Sequence, residues 1–327
     1  MRVVGVDMGR YAVKLAMLTD GRVSGVLLRQ CPDWPESSED TATRLLGQMV
    51  RQLHSRSEDA WGSIQGAAII THLSEFPQMQ DSELRGAVAL EAEEFMSRDM
   101  SEVDIDYQVV ETMPDRNVRV LFVAAPKHLS DRRMRTMEEA GLRCTGVTTD
   151  SVSLASLFLT ANSESQEAVV LVNVGALSTN IVSLVEGKPS VLRDIDFGGN
   201  DFTVAITKQL GVSYEEAEEM KKSVGSLPPQ VIEAVQNAAE PLTGQITRTI
   251  EYLARQMGES EPPTVYLLGG GSLAEGLDRW LAGRLQTSVQ YMDPFSGLEV
   301  DCQLPTASAL RSCYGVALGN ALLGGFG

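Results

Sequence analysis

The distribution of apolar and polar positions predicts short strands and amphipathic helices in turn. The opening stretch VVGVDMGRYAVKLAMLTDGRV, residues 3–23, reads as a β-rich strand, a glycine turn at Gly9, an alternating second strand, and a turn at Asp20-Gly21-Arg22. Residues 169–189, VVLVNVGALSTNIVSLVEGKP, align with it without a gap at an offset of 166, with turns at Gly175 and at Glu186-Gly187-Lys188. Any two glycine-turn hairpins share some likeness, but here a polar residue also recurs at the end of each first strand, Asp7 and Asn173. The repeat predicts two related halves, each opened by a β-hairpin. A third strand-to-glycine junction runs from Thr264–Leu268 into Gly269-Gly270-Gly271, with Ser272 as the expected N-cap of the helix-like segment that follows.

Between these markers, the periodicity predicts a helix over 81–98, strands over 103–110 and 117–125 around the turn Met113–Arg116, a helix over 131–140 ended by Gly141, and another over 151–159. Residues 202–258 read as almost wholly helical with a break at Pro228-Pro229, and Pro32–Ser38 as a polar surface loop. The apolar tail Tyr314–Phe326 has no Lys or Arg on a polar face, so it is expected to pack as a terminal helix on the first half and not to anchor in a membrane.

At 327 residues, 43% of them apolar, the chain can bury one or two real cores and suggests about two domains. Its 44 acidic against 27 basic side chains give a net charge of −17, which repels phosphate backbones and anionic headgroups and argues against nucleic acid or direct membrane insertion. Cys31, Cys144, Cys302 and Cys313 form no Cys-x-x-Cys pair, so reduced thiols in the cytoplasm are expected. The N-terminus enters a strand without a basic stretch and an apolar h-region, and no apolar run nears the roughly 20 residues of a membrane span. His54, His72 and His128 share no motif spacing and read as structural.

Candidate chemistry lies in the hairpins. Asp7, Gly9 and Lys14 put a carboxylate at a strand end, a flexible turn, and an ammonium on the returning strand. A carboxylate there can hold Mg²⁺ through water, turn N–H groups can approach phosphate oxygens, and a lysine can neutralise their charge. The same spacing also describes an ordinary hairpin with an exposed lysine. In the second copy Asn173 is a neutral and weaker Mg²⁺ ligand, which argues against robust hydrolysis. Phe197-Gly198-Gly199-Asn200 either presents N–H groups and a helix N-terminus to an anion or makes a tight strand-to-helix turn. Gly269–Ala274 fits Gly-x-Gly-x-x-Ala, but a dinucleotide fingerprint belongs in a first βαβ unit, so a glycine run beside an adenine face is the preferred reading. The Walker A pattern is absent, and no catalytic triad or paired carboxylates are recognisable.

In this order the motifs resemble the PilM family of type IV pilus assembly, actin-like proteins related to the cell-division protein FtsA. The likeness rests on Val6-Asp7-Met8-Gly9 with Val13-Lys14, Ala89–Phe95 leading to Asp106–Val110, Ala140-Gly141-Leu142, Val174-Gly175-Ala176, Phe197–Thr203, Tyr214–Lys221 and Leu268–Ser272. It implies the bilobed α/β fold of actin and Hsp70-type ATPases, which is ribonuclease H-like, with a small inserted subdomain. The implied first lobe is 1–77 and 126–165 with the C-terminal helix 314–327, and the insert is 78–125. The second lobe is 166–201 and 262–313, with a helical subdomain over 202–261. ATP and Mg²⁺ would lie between the hairpins, touching Gly9, Arg10, Tyr11, Lys14, Gly175, Ala176, Gly198 and Gly199, with Asp7 toward the metal. Glu218, Lys221 and Gly269, Gly270, Gly271 and Ser272 would flank ribose and adenine. The resemblance further implies a cytoplasmic scaffold, peripheral to the inner membrane, that docks the tail of a PilN-like membrane protein beside the insert and meets other subunits of a pilus or related secretion system. Arg10 and Tyr11 stand where the family's first phosphate turn is usually rich in serine, and Asn173 stands where it usually has Asp, so weak ATPase activity at most is expected. An FtsA-like filament former and a small-molecule kinase of the same fold are the alternatives.

Overall fold

The protein is described from a computed structural model, which covers residues 1–36, 38–66, 68–96, 99–162, 167–223, 225, 227–257 and 261–325. Parts of the readings above, at Ser37, Arg98, Gly258 and Phe326 and at the expected lobe boundary near 165–166, lie outside the described residues.

The chain begins with a meander, β1 (Arg2–Met8), β2 (Ala12–Thr19) and β3 (Arg22–Gln30), followed by α1 (Glu39–Gln52) and β4 (Asp59–Ile64). It then leaves that sheet for β5 (Ile70–Pro77), α2 (Asp81–Phe95), β6 (Val103–Thr112) and β7 (Asn117–Pro126). It returns through α3 (Lys127–Glu139) and β8 (Arg143–Thr149), completing a sheet of order β3-β2-β1-β4-β8. After α4 (Asp150–Ala161) comes a second meander, β9 (Val169–Val174), β10 (Thr179–Val185) and β11 (Lys188–Ile195), and then the helices α5 (Gly199–Leu210), α6 (Tyr214–Lys222), α7 (Pro229–Ala238) and α8 (Glu240–Met257). Strand β12 (Thr264–Leu268), α9 (Leu277–Leu285) and β13 (Val289–Tyr291) finish a sheet of order β11-β10-β9-β12-β13. A short α10 (Ser308–Arg311) precedes the terminal α11 (Gly315–Gly325).

The repeat is structural down to its register. Val3 faces Leu18 and Asp7 faces Lys14 in the first hairpin. Val169 faces Leu184 and Asn173 faces Asn180 in the second, the same positions shifted by the repeat offset. The β-bulge between Met17 and Leu18 recurs between Ser183 and Leu184. The two-residue turns recur as well, with positive φ at Asp20 and Gly21 and at Glu186 and Gly187, the twist that lets a tight hairpin close.

Helices α4 and α11 lie between the two sheets. One buried cluster joins Leu18 of β2, Leu154 and Phe158 of α4, Leu171 and Leu184 of the second sheet, and Leu318 of α11. The outer faces are covered separately, the first sheet by Leu46, Met49 and Met137 of α1 and α3, and the second by α5 to α9. Asn320, fully buried on α11, donates to the Val6 carbonyl at 2.8 Å and to Ser63 Oγ at 3.2 Å, and accepts from Ser153 Oγ at 2.5 Å, so one side chain ties β1, β4 and α4.

The structure differs from the sequence reading at several points. Strand β5 pairs with β7 along its length, from Ile70 opposite Ala124 to Pro77 opposite Asn117, so the third sheet begins at residue 70 and not at 78. Ser272 is not an N-cap. It lies inside a 3₁₀ turn over Gly270–Leu273, and α9 starts later, after Gly276 at φ 79°. Helix α3 starts four residues earlier than its periodicity suggested, directly after Pro126. The 202–258 segment resolves into separate helices, α5 being closed by Gly211 in the left-handed conformation.

The close approach of α4 and α11 makes a direct test. A methyl group at Gly319 would lie 2.0 Å from the Ser153 carbonyl oxygen, whereas one at Gly86 in α2 meets nothing within 4 Å. Gly319→Ala should therefore cost about 1–3 kcal/mol. Gly86→Ala should stabilise by about 0.5–1 kcal/mol through helix propensity. Urea unfolding midpoints of the two variants check both signs.

Candidate functional site

At the end of β1, buried Asp7 receives a hydrogen bond from Lys14 Nζ at 2.9 Å. Burial alone would lower the Lys14 pKa, but the charge and hydrogen bond of Asp7 outweigh it and raise the value, so the ammonium is fixed. Lys14 is thus a buried ion-pair member and not an exposed hairpin lysine. Gly9 makes room for it, since a Cβ there would sit 3.2 Å from Lys14 Nζ and 3.0 Å from the Ala12 carbonyl. Arg10 lines an open pocket of about 390 Å³ together with Ser38 and with Arg132 and Arg133 of α3.

The second hairpin replaces this ion pair with two neutral amides tied to a carboxylate of β11. Asn173 donates to Asn180 Oδ1 at 2.8 Å, Asn180 donates to Asp194 Oδ1 at 2.8 Å, and Ser151 Oγ donates to that same oxygen at 2.8 Å. At the turn, Gly175 N–H bonds the Ser178 carbonyl. The N–H groups of Gly199 and Asn200 donate to the carbonyls of Gly175 and Ala176, and those of Gly198 and Asp201 to Asp201 Oδ2 and the Gly198 carbonyl. The 197–200 segment is therefore the tight turn of the two alternatives, with its N–H groups spent on the protein itself. The N–H groups of Ala176 and Leu177 at the hairpin tip donate to no backbone acceptor among the described residues.

Around this turn the structure gathers most of the second-lobe residues singled out from sequence. A Cβ on Gly271 would meet Val174 Cγ1 at 2.6 Å and the Gly175 carbonyl at 2.8 Å, and one on Gly269 would meet the Val174 carbonyl at 2.4 Å. Only glycine lets this run lie on the hairpin, and Gly270 is the exposed member. Ser272 is fully buried and donates to the Gly269 carbonyl at 2.7 Å. Lys221 Nζ donates to Glu218 Oε2 at 2.6 Å, Thr203 Oγ1 at 2.7 Å and the Gly199 carbonyl at 2.9 Å, while Lys222 lies 3.2 Å from Glu218 Oε1. Burial works against the Glu218 charge, but Lys221, Thr203 and Lys222 more than offset it and hold its carboxyl below the usual range. Its Oε2 also accepts from Thr203 Oγ1 at 2.6 Å and so pins α6 to the start of α5, while Oε1 is held by Lys222 of its own helix.

The sequence profile of the family described as Type IV pilus assembly protein PilM matches residues 5–324. The chain belongs to the PilM family. A chain of the solved PilM-PilN type IV pilus biogenesis complex superposes with a TM-score of 0.83 at 24% identity, covering 98% of both chains. MreB5 of Spiroplasma citri bound to AMPPNP superposes at 0.57 and 12% identity over 97% of this chain and 94% of that one. The cell division protein FtsA of Bacillus subtilis is 25% identical over 194 residues, 53% of this chain and 44% of FtsA, so the match spans less than half of that relative's length. The fold of this PilM family member is that of the actin-like ATPases.

Two polar groups near Asp7 and Lys14 escaped the sequence reading. Asp150, the first residue of α4, is buried, and burial followed by the charge of Asp7 pushes its pKa up to about 7. Cys313, also buried, has its thiol pushed up by burial and sits near Lys14, with its Sγ 3.9 Å from where a Cβ on Gly270 would be. Asp150 could have been suspected from Thr149, whose side chain caps α4 and fixes Asp150 as the first helical residue.

Asp150 makes stability depend on pH. Its folded-state value of about 7 lies above the ordinary carboxylate range, so the folded protein keeps a proton that the unfolded chain loses from about pH 4 upward. The stabilisation is complete below about pH 4 and is lost as pH rises through about 7. Urea midpoints should fall between about pH 4 and pH 7 in the wild type and fall less in Asp150→Asn, which has no proton to release.

Proposed function

We propose that this PilM family member is a cytoplasmic scaffold of type IV pilus assembly. In this reading it binds Mg-ATP between its two hairpins and docks the tail of a PilN-like inner-membrane protein beside the third sheet. The observation that carries it is the family match along nearly the whole chain, joined to the likeness to the solved PilM-PilN complex. Among the described residues no helix is long and apolar enough to cross a membrane, and in this reading the partner supplies the attachment.

The cleft residues suit a Mg-nucleotide. Asp7 leaves Oδ1 outside its Lys14 bond, and a water of a bound Mg²⁺ could be held there. The Lys14 ammonium and the N–H groups of Ala176 and Leu177 supply positive ends for phosphate oxygens. Bound Mg²⁺ would supply charge neutralisation for the phosphates. On the second hairpin Asn173 and Asn180 offer amides where a carboxylate could orient an attacking water, so slow or absent hydrolysis follows from this reading.

For the tail, the face of β6 opposite the α2-covered core carries Asp104 and Asp106, both exposed. Helix α3 runs alongside. Ser130 Oγ donates to Asp104 Oδ2 at 2.5 Å, and Lys127 Nζ donates to the Ser101 carbonyl at 2.6 Å. The exposed Met134 adds an apolar contact on the same helix. Such a groove favours a short tail with basic and apolar residues.

Calorimetry tests both halves. Wild-type protein should bind Mg-ATP saturably. The double variant Asp7→Asn, Lys14→Asn copies the neutral pair of the second hairpin and should bind at least about tenfold more weakly with its fold intact. A synthetic basic tail peptide should bind both proteins equally and lose about tenfold in affinity against Asp104→Lys. Binding of neither ligand to the wild type would remove the proposal.

A further inference from the structure

The first hairpin turn carries bulk where a phosphate turn needs little. Tyr11 packs edge-on against Trp34, with ring centroids 5.7 Å apart at 76°. From the other lobe, Lys222 at the end of α6 places its ammonium 5.2 Å from the centroid of the Tyr11 ring, within cation–π reach. That ammonium is also 3.2 Å from Glu218 Oε1, and Glu218 is bound through Lys221 to the carbonyl of Gly199, whose own N–H holds the Gly175 turn. A continuous set of contacts therefore runs from Trp34 in the first lobe to the second glycine turn. Tyr214, on the same helix as Lys222, lies close to Trp34 and donates to Asn200 Oδ1 at 2.8 Å.

Burial gives this bridge a direction. Tyr11 is half-buried and the Lys222 side chain is 43% exposed, whereas Asp7, Lys14 and Cys313 are largely shielded from solvent. The aromatic–ammonium contact is the more exposed of the two, and the Asp7–Lys14 pair the more buried.

We propose that Tyr11, backed by Trp34 and gripped by Lys222, is a clasp across the mouth of the cleft that must open before a nucleotide reaches Asp7 and Lys14. The proposal rests on the nucleotide reading above for its ligand, but not for the clasp itself. The chemistry lets the ligand undo it. A cation over a half-exposed ring is held only weakly. A phosphate oxygen offers the same ammonium a charge-assisted hydrogen bond of about twice the ordinary strength. Lys222 would then pass from ring to phosphate as the lobes part and re-form around the nucleotide. Because Lys222 and Lys221 share Glu218, that transfer also reaches the carbonyl of Gly199 and the second turn.

Cys313 is a built-in reporter, since it is buried beside Lys14 and Asp7, while Cys144 of β8 packs against the cluster under α1 and α3. Without nucleotide, alkylation by N-ethylmaleimide followed by mass spectrometry should run several-fold faster at Cys313 in Tyr11→Ala and in Lys222→Met than in wild type. Cys144 should be unchanged, and Tyr11→Phe, which keeps the ring but loses the hydroxyl that also meets Lys222, should fall between wild type and Tyr11→Ala. An unchanged Cys313 rate, or an acceleration shared by Cys144, would overturn the clasp. In a second arm, a fluorescent ATP analogue with Mg²⁺ should associate several-fold faster with Tyr11→Ala. Association no faster than wild type, with Cys313 responding, would overturn the clasp as a gate. Absence of analogue binding to every variant, with Cys313 responding, would leave the clasp standing and remove the nucleotide reading.

Discussion

Two helices held in close backbone contact between two sheets are the constraint on which the molecule depends. Helices α4 and α11 share one apolar cluster with both sheets and approach so closely that a methyl group is excluded at Gly319, and α11 lies as close on β1, where a methyl at Gly5 would meet the Ala317 carbonyl at 1.9 Å. Where backbones touch, polar atoms need partners, and buried Asn320 supplies them to β1, β4 and α4 at once. This packing fixes each sheet against the same pair of helices, so the hairpin that leads each sheet ends near α4. Asp150 at the start of α4 senses the charge of Asp7 from one hairpin, and Ser151 bonds Asp194, which is bonded in turn to Asn180 of the other.

The duplicated hairpins then diverge in one respect that matters. At matched positions one holds Asp7 and Lys14 and the other Asn173 and Asn180, so one wall of the cleft is an ion pair and the other a chain of neutral amides. A buried ion pair is weak evidence for stability, because desolvation consumes much of its attraction. Its persistence in one copy alone fits a role toward a charged ligand. In the proposed reading, the neutral amides, the spent N–H groups of residues 198–201 and the inward-turned Glu218 fit a nucleotide that would set the arrangement of the lobes more than be cleaved.

Much of this was legible in the sequence because the determinants are local. Strand alternation, the two glycine turns and the acidic-glycine turn at residues 20–21 and 186–187 are short-range signals, and their recurrence at a constant offset carried the two-lobed organisation. What was not legible depends on distant partners. Strand β5 looks like first-lobe sequence until β7, some fifty residues on, is seen to pair with it. The residues of 197–200 could be read as an anion site or as a turn, and only the carbonyls of Gly175 and Ala176 decide between them. Lys14 read as exposed or as ligand-bound from spacing alone, and its burial against Asp7 follows from the sheet. Asp150 passed as an ordinary helix start, and the meeting of Tyr11 with Lys222 joins residues from opposite lobes that no local pattern connects.

The measurement that bears most directly on the central claim is amide hydrogen exchange with and without Mg-ATP. A nucleotide held between two hairpins should slow exchange at residues 9–12 and 175–178 together, with little change at 198–201, whose N–H groups are already bonded. Protection at one hairpin alone, or only at sites outside both, would contradict a cleft built from the two copies.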